Sequence, residues 1–218
     1  MAETSGAKKP APAGPADRIS ALPDAVLEHI LGFLPADHAV RTSVLAQRWR
    51  HLWKSMRRIR ITDLDPGKYT AFRNFMDGIL LFRDPSVALD EVELRAFLSY
   101  DGEGGWRACV SIWIQHLLFC QAKALTITGN VTLGGPLFSQ HLRRLELCNV
   151  ILKENSLDFT RCPALEDIRM NWCILYTTRI VSPSVKNLSI TGRQARINKK
   201  CYGPARRAGG LASWFHKV

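Results

Sequence analysis

Six cysteines and six histidines are the groups in this chain best suited to hold a metal or attack a carbon. Their spacing serves neither purpose. Cys109, Cys120, Cys148, Cys162, Cys173 and Cys201 form no C-x-x-C pair and no other metal-ligand pattern. His29, His38, His51, His116, His141 and His216 include no H-E-x-x-H, and none adjoins a Cys or Ser in a nucleophile motif. The run Asp101-Gly102-Glu103-Gly104-Gly105 lacks the spacing of a phosphate cradle. No catalytic residue, metal or cofactor is therefore assigned. The chain reads as non-enzymatic, with scattered reduced thiols.

A second chemistry is suggested by AVRTSVLAQRWRHLWK, residues 39–54, which holds two tryptophans, three arginines, a lysine and no acid. Basic residues interleaved with aromatics can hold nucleic acid. The same composition arises when a short helix buries its aromatics and turns its charges to water. The net charge of +11 does not decide between them, because the excess is local. Residues 38–62 and 191–218 each carry seven Lys or Arg and no acid, so the rest of the chain is slightly acidic. A protein that coats nucleic acid along its length would be basic throughout.

The elements that must position these residues follow from periodicity. Leu22, Val26, Leu27, Ile30, Leu31 and Leu34 lie at helical spacing after Pro23, which suits a first helical turn, and Pro35 ends the helix. Asp37 is placed to cap a second short helix containing Ala39, Val40, Ser43 and Val44. Trp49, Leu52, Trp53 and Met56 then fall on one stripe of a third helix, with Arg48, Arg50, Lys54 and Arg57 largely off it. Inward tryptophans favour a small three-helix core over a base-stacking platform. A core of that size is marginal and often leans on a partner.

These residues carry a resemblance. DRISALPDAVLEHILGFLPADHAVRTSVLAQRWRHLWKSM closely resembles the F-box of plant F-box proteins with leucine-rich repeats, over residues 17–61. Ala46-Gln47 departs from the Ser and basic residue usual there, without touching an apolar position. The resemblance implies that the F-box binds a Skp-family adaptor and, through it, a cullin. Leu22, Pro23, Leu27, Ile30, Leu31, Leu34, Val44, Trp49 and Trp53 would form its core and docking face, with Leu22-Pro23 in direct contact.

Beyond residue 62 a short unit, ideally L-x-x-L-x-L, recurs. It begins at Leu89, Ala122, Leu142, Leu165 and Val185, at intervals of 33, 20, 23 and 20 residues. The last three intervals match leucine-rich repeats, and the first is lengthened by an apolar helical pattern at 105–120 that follows another at 68–83. Each unit supplies one strand that cannot bury its apolar row alone. The alternate positions would face outward on the concave side: Glu93, Arg95, Thr126, Thr128, Glu146, Cys148, Arg169, Asn171, Ser189 and Thr191. That polar row, mixed in charge, suits a protein target. The alternative is ordinary solvated side chains.

The expected architecture is α+β, with a disordered tail at 1–16, an F-box at 17–62, a repeat region with leading helices at 63–198, and a basic disordered tail at 199–218. Members of the resembled family usually continue for many more repeats, so the chain reads as short at its C-terminus, with Leu211, Trp214 and Phe215 the sole candidate cover. Residues 1–16 lack the apolar core of a signal peptide, and IWIQHLLFC at 112–120 is too short to span a bilayer. The expectation is an intracellular substrate-recognition subunit of a cullin–RING ubiquitin ligase, in nucleus or cytoplasm, holding an unknown protein target. The alternatives are a basic nucleic-acid-binding protein and a truncated F-box protein that binds the adaptor without substrate.

Overall fold

The computed structural model describes residues 19, 21–62, 69–95, 105–153, 156–176 and 179–192. Both expected tails, with Leu211, Trp214 and Phe215, lie outside them. Helix α1, Asp24–Leu31, opens after Pro23 with Asp24 in its first turn, where a carboxylate suits the helix dipole. Helix α2, Ala36–Arg41, opens after Pro35. Asp37 makes no cap hydrogen bond there and instead pairs with Arg41 one turn on, at 3.6 Å. The third expected helix is not an α-helix. Two 3-10 turns, Gln47–Arg50 and Leu52–Ser55, replace it, broken at His51. Only Met56 and Arg57 separate the second turn from a strand, so Met56 is already extended (φ −59°, ψ 133°).

That strand, β1 (Arg58–Ile61), begins a six-stranded parallel sheet. After helix α3, Tyr69–Phe82, come β2, Glu91–Arg95, and helix α4, Gly105–Phe119. The sheet continues through β3 (Ala124–Thr128), β5 (Arg144–Cys148), β8 (Asp167–Asn171) and β11 (Asn187–Thr191), its members lying side by side in chain order. Between them β4 (Thr132–Leu133), β6 (Ile151–Leu152) and β9 (Ile174–Leu175) pair in a second parallel sheet. Strands β7, Ser156–Asp158, and β10, Arg179–Val181, form a third. All five of the sequence units thus become strands of the first sheet.

Burial explains why they stack. Strands β2, β3, β5 and β8 each point two apolar side chains into one continuous core: Val92 and Leu94, Leu125 and Ile127, Leu145 and Leu147, Ile168 and Met170. None of these exceeds 2% exposure. Helix α4 covers the same core with Trp113, Ile114, Leu117 and Leu118.

Each coil is indexed to the next at both ends of its strand. Before the strand, paired N–H groups converge on one carbonyl of the preceding coil. Arg143 and Arg144 donate to Lys123, Glu166 and Asp167 to Arg143, and Lys186 and Asn187 to Glu166. After the strand, Gly129, Asn149 and Trp172 adopt positive φ and donate forward to the carbonyls of Cys148, Asn171 and Thr191 at 2.8–2.9 Å. Glycine and asparagine suit that conformation.

The helical N-terminal part is bolted to this sheet. Buried Arg83, at the end of α3, donates to the carbonyls of Met56 (2.5 Å) and Val87 (2.6 Å). The N–H of Asp90 donates to the Arg57 carbonyl at 2.7 Å, and its carboxylate receives both Arg57 and Lys123 at 2.7 Å. The Arg57 hydrogen bond is the chief reason that the Asp90 pKa falls to about 2, with Lys123 assisting against partial burial. An unfolded Asp titrates near ~3.9. The folded value is lower, so this stabilisation is present above about pH 4 and lost as pH falls towards 2. Denaturant titrations from pH 5 to 2 should show Asp90→Asn less stable than the parent at pH 5, by up to about 1 kcal/mol. The two should converge near pH 2.

Candidate functional site

Two surfaces carry the residues singled out from the sequence. On the first, Leu27, Leu31, Ala39, Trp49, Leu52 and Met56 form a compact core, with Leu22, Leu34 and Trp53 packed at its margin. Trp49 is 7% exposed. Trp53 is half-buried and, unlike Trp49, packs against both this core and that of the sheet, with the Lys54 ammonium 5.8 Å above its ring. The expected single stripe therefore divides: one tryptophan fills the small core and the other joins it to the large one.

Pro23, Ile30 and Val44 are exposed, so they are not core residues. Val44 is more exposed than Ile30. The second helix stops at Arg41, a 3-10 turn (Thr42–Val44) follows, and the Val44 side chain is left 84% exposed. With Ser43, Ala46, Gln47 and Arg50 it lines an open depression. Leu45, 69% exposed, and Val26, 41% exposed, extend the uncovered apolar surface. Val26 was counted in the apolar row of the first helix, whereas Leu45 was not singled out. Large apolar side chains on a polar, turn-rich segment were the available signal, obscured by reading 39–44 as one amphipathic helix.

Four arginines of this region, Arg48, Arg57, Arg58 and Arg60, are paired with acids, whereas Arg50 is exposed. Arg48 binds the Asp24 carboxylate at 2.6 Å and the Leu22 carbonyl at 2.5 Å, fixing the start of α1. Arg57 and Arg58 pair with Asp90 and Glu91, and Arg58 also lies 5.3 Å over the Phe33 ring. Arg60 bridges the Phe33 carbonyl, at 3.1 Å, and Glu93, at 2.8 Å.

The second surface is the outward side of the first sheet. Parallel register aligns Arg60, Glu93, Thr126, Glu146, Arg169 and Ser189 in one row. Arg95, Thr128, Cys148, Asn171 and Thr191 form the next. Glu93 is held by Arg60 and by Arg95 at 2.5 Å. Burial opposes its ionisation, but these two hydrogen bonds prevail and keep its carboxyl below the usual range. Asn171 accepts from the Thr191 hydroxyl at 2.5 Å. Among the described residues, the side chains of Thr126, Thr128, Glu146, Arg169 and Ser189 form no hydrogen bond or ion pair. The middle of the face thus keeps one acid, one arginine and three hydroxyls available.

Among the described residues no group of three or more His, Cys, Asp or Glu could hold a metal ion. No helix among them is long and apolar enough to cross a membrane.

Comparison with known proteins places the first surface. The F-box domain family matches residues 19–61. An FBD-associated F-box protein of Arabidopsis thaliana is 30% identical over 72% of this chain and 35% of its own length. A putative F-box/FBD/LRR-repeat protein of the same plant is 30% identical over 80% of this chain and 47% of its own. The meiotic F-box protein MOF of Oryza sativa subsp. japonica is 28% identical, over 80% and 40%. The chain thus spans about a third to a half of the length of these relatives. No solved structure matches it.

The burial contrast yields a test. Trp49→Ala should destabilise the protein by about 3–5 kcal/mol, and Trp53→Ala by a comparable amount because two cores loosen together. Val44→Ala should stay within about 0.5 kcal/mol of the parent. Urea unfolding followed by circular dichroism measures all three.

Proposed function

We propose that this chain, whose residues 19–61 match the F-box domain family and which is similar to F-box proteins of plants, is a non-catalytic substrate-recognition subunit of an SCF-type ubiquitin ligase. F-box proteins generally fill that role. Its F-box binds a Skp-family adaptor, which links it to a cullin, and its leucine-rich repeats hold a protein target for ubiquitin transfer by other subunits. Residues 17–62 act as the F-box and residues 63–198 as the repeat region with its leading helices. The complex works in the nucleus or cytoplasm.

The observation that carries the adaptor half is apolar surface beside a completed core. Leu27, Leu31 and Trp49 are already buried, yet Pro23, Val26, Ile30, Val44 and Leu45 remain exposed around them. Apolar side chains gathered outside a finished core favour burial against a partner. Leu22-Pro23, at the start of α1, and Val44-Leu45, in the turn after α2, are the proposed contacts.

The target half rests on the outward rows of the sheet. Glu146, Arg169, Thr126, Thr128 and Ser189 offer hydrogen bonds and both signs of charge, suited to a polar protein surface more than to a small apolar ligand. Glu93, Arg95 and Asn171 frame them and are steadied by their own pairs. A nucleic-acid reading gains no support from Trp49, which is buried away from any base, or from Arg48, Arg57, Arg58 and Arg60, which are paired with acids.

Val44→Asp/Leu45→Asp tests the adaptor contact without entering the core. The double variant should keep the parent's circular dichroism and lose co-purification with a Skp-family adaptor. Leu22→Ala/Pro23→Ala should weaken it likewise. Undiminished capture by both folded variants would refute the reading.

A further inference from the structure

The two edges of the main sheet differ in kind. At one, β1 alternates Arg58 and Arg60 with Ile59 and Ile61, and both arginines are tied to neighbouring groups. At the other, β11 reads Asn187-Leu188-Ser189-Ile190-Thr191, with no charge, proline or bulge. Leu188 is half-buried and Ile190 is 43% exposed, where the matching residues of the inner strands are sealed. Native sheets normally protect such an edge with charge, proline or a covering segment.

The hydrogen bonds fix which backbone groups face outward. The Asn187 N–H donates to Glu166 at 3.0 Å, and the Thr191 carbonyl accepts from Trp172 at 2.8 Å. In a parallel ladder alternate residues bond the same neighbour. Residues 187, 189 and 191 therefore engage β8, and the N–H and C=O of Leu188 and Ile190 point to the open side.

We propose that this edge is a dimer interface, in which β11 pairs antiparallel with β11 of a second copy about a two-fold axis at Ser189. In that register Leu188 of one copy lies opposite Ile190 of the other, and all four outward N–H groups meet outward carbonyls. The apolar pair meets its symmetry mate on the core side, covering the exposed Ile190. Asn187 faces Thr191, and Ser189 faces itself as a non-hydrogen-bonded pair. No like charges oppose one another, since β11 is uncharged and the flanking Lys186 is bound to Glu166 at 3.0 Å. Such an isologous contact closes on itself and does not propagate. It is smaller than a standard interface of about 1,600 Å², so the dimer should dissociate on dilution, with a dissociation constant on the order of 10 µM or weaker.

Sedimentation equilibrium of the full chain from about 1 to 200 µM, spanning that range, should show its mass rising from monomer towards dimer. Ser189→Cys should give a disulfide-linked dimer on mild oxidation, because a non-hydrogen-bonded pair brings the Cα atoms to about 4.5 Å, within disulfide reach. Asn187→Cys, facing Thr191, should give no more than the parent, which carries the same native cysteines. Ile190→Pro removes an outward N–H that β8 does not use, so it should remain folded by circular dichroism and monomeric. Should it fail to fold, the Ser189→Cys and Asn187→Cys comparison decides alone. A monomer at every concentration without Ser189→Cys crosslinking would overturn the proposal. So would a dimer that survives in folded Ile190→Pro.

Discussion

Every coil of the main sheet exposes an apolar row that only its neighbours can cover, and this mutual dependence governs the rest of the molecule. A five-residue strand such as Arg144–Cys148 has no core of its own, and Leu145 and Leu147 reach 0–1% exposure only between β3 and β8. Hydrophobic burial supplies the drive, but it does not set the register. Paired donors converging on Lys123, Arg143 and Glu166 do that, because a slip by one residue would strand them and turn each apolar row to solvent. Stacking and register together align the outward polar residues in rows.

The same dependence reaches the F-box. Its final segment is β1, whose Ile59 and Ile61 belong to the core of the sheet. Arg83 satisfies the Met56 carbonyl from the end of α3, and Trp53 touches both cores. Charge follows the same logic. Arg57, Arg58 and Arg60 each meet an acid on or beside β2, so the basic run that looked available for phosphate is spent on joining two parts of the protein. Individually such pairs contribute little in water. Here they act beside buried apolar contacts and shared backbone hydrogen bonds, which hold their geometry in place.

The repeats could be read from residues because their spacing is set by the strand itself: positions 1, 4 and 6 of each unit must reach one core, whatever the loops do. Helices α3 and α4 were visible for the same reason. Strand β1 is hidden, since Arg-Ile-Arg-Ile is only four residues long and directly follows a basic segment with helical period. The two-residue strands β4, β6 and β9 are too short to carry any period. Trp49 announced its burial by size, whereas Trp53 could be assigned to one core or two only by knowing where the sheet lies. For Val44 the helical period of residues 39–44 could not separate core from docking face: the 3-10 turn after Arg41 leaves it exposed.

One position breaks the local rule of its own repeat. After β3, β5, β8 and β11 the chain turns through a residue of positive φ, and Gly129, Asn149 and Gly192 suit that conformation where Trp172 (φ 57°) does not. A bulky residue there costs on the order of 1 kcal/mol or more. The next coil supplies what holds it. The Trp172 N–H binds the Thr191 carbonyl at 2.8 Å, and Gly192 lies so close that an added Cβ would stand 3.0 Å from the indole Cδ2. A Cβ at residue 192 would stand 2.9 Å from both N and Cα of Trp172, and Gly192 itself has φ 106°. Glycine is thus required twice at that point, once for its own conformation and once for its neighbour's. The strain at Trp172 and the close approach at Gly192 are one packing solution, and the last described turn exists only because both residues adopt it together.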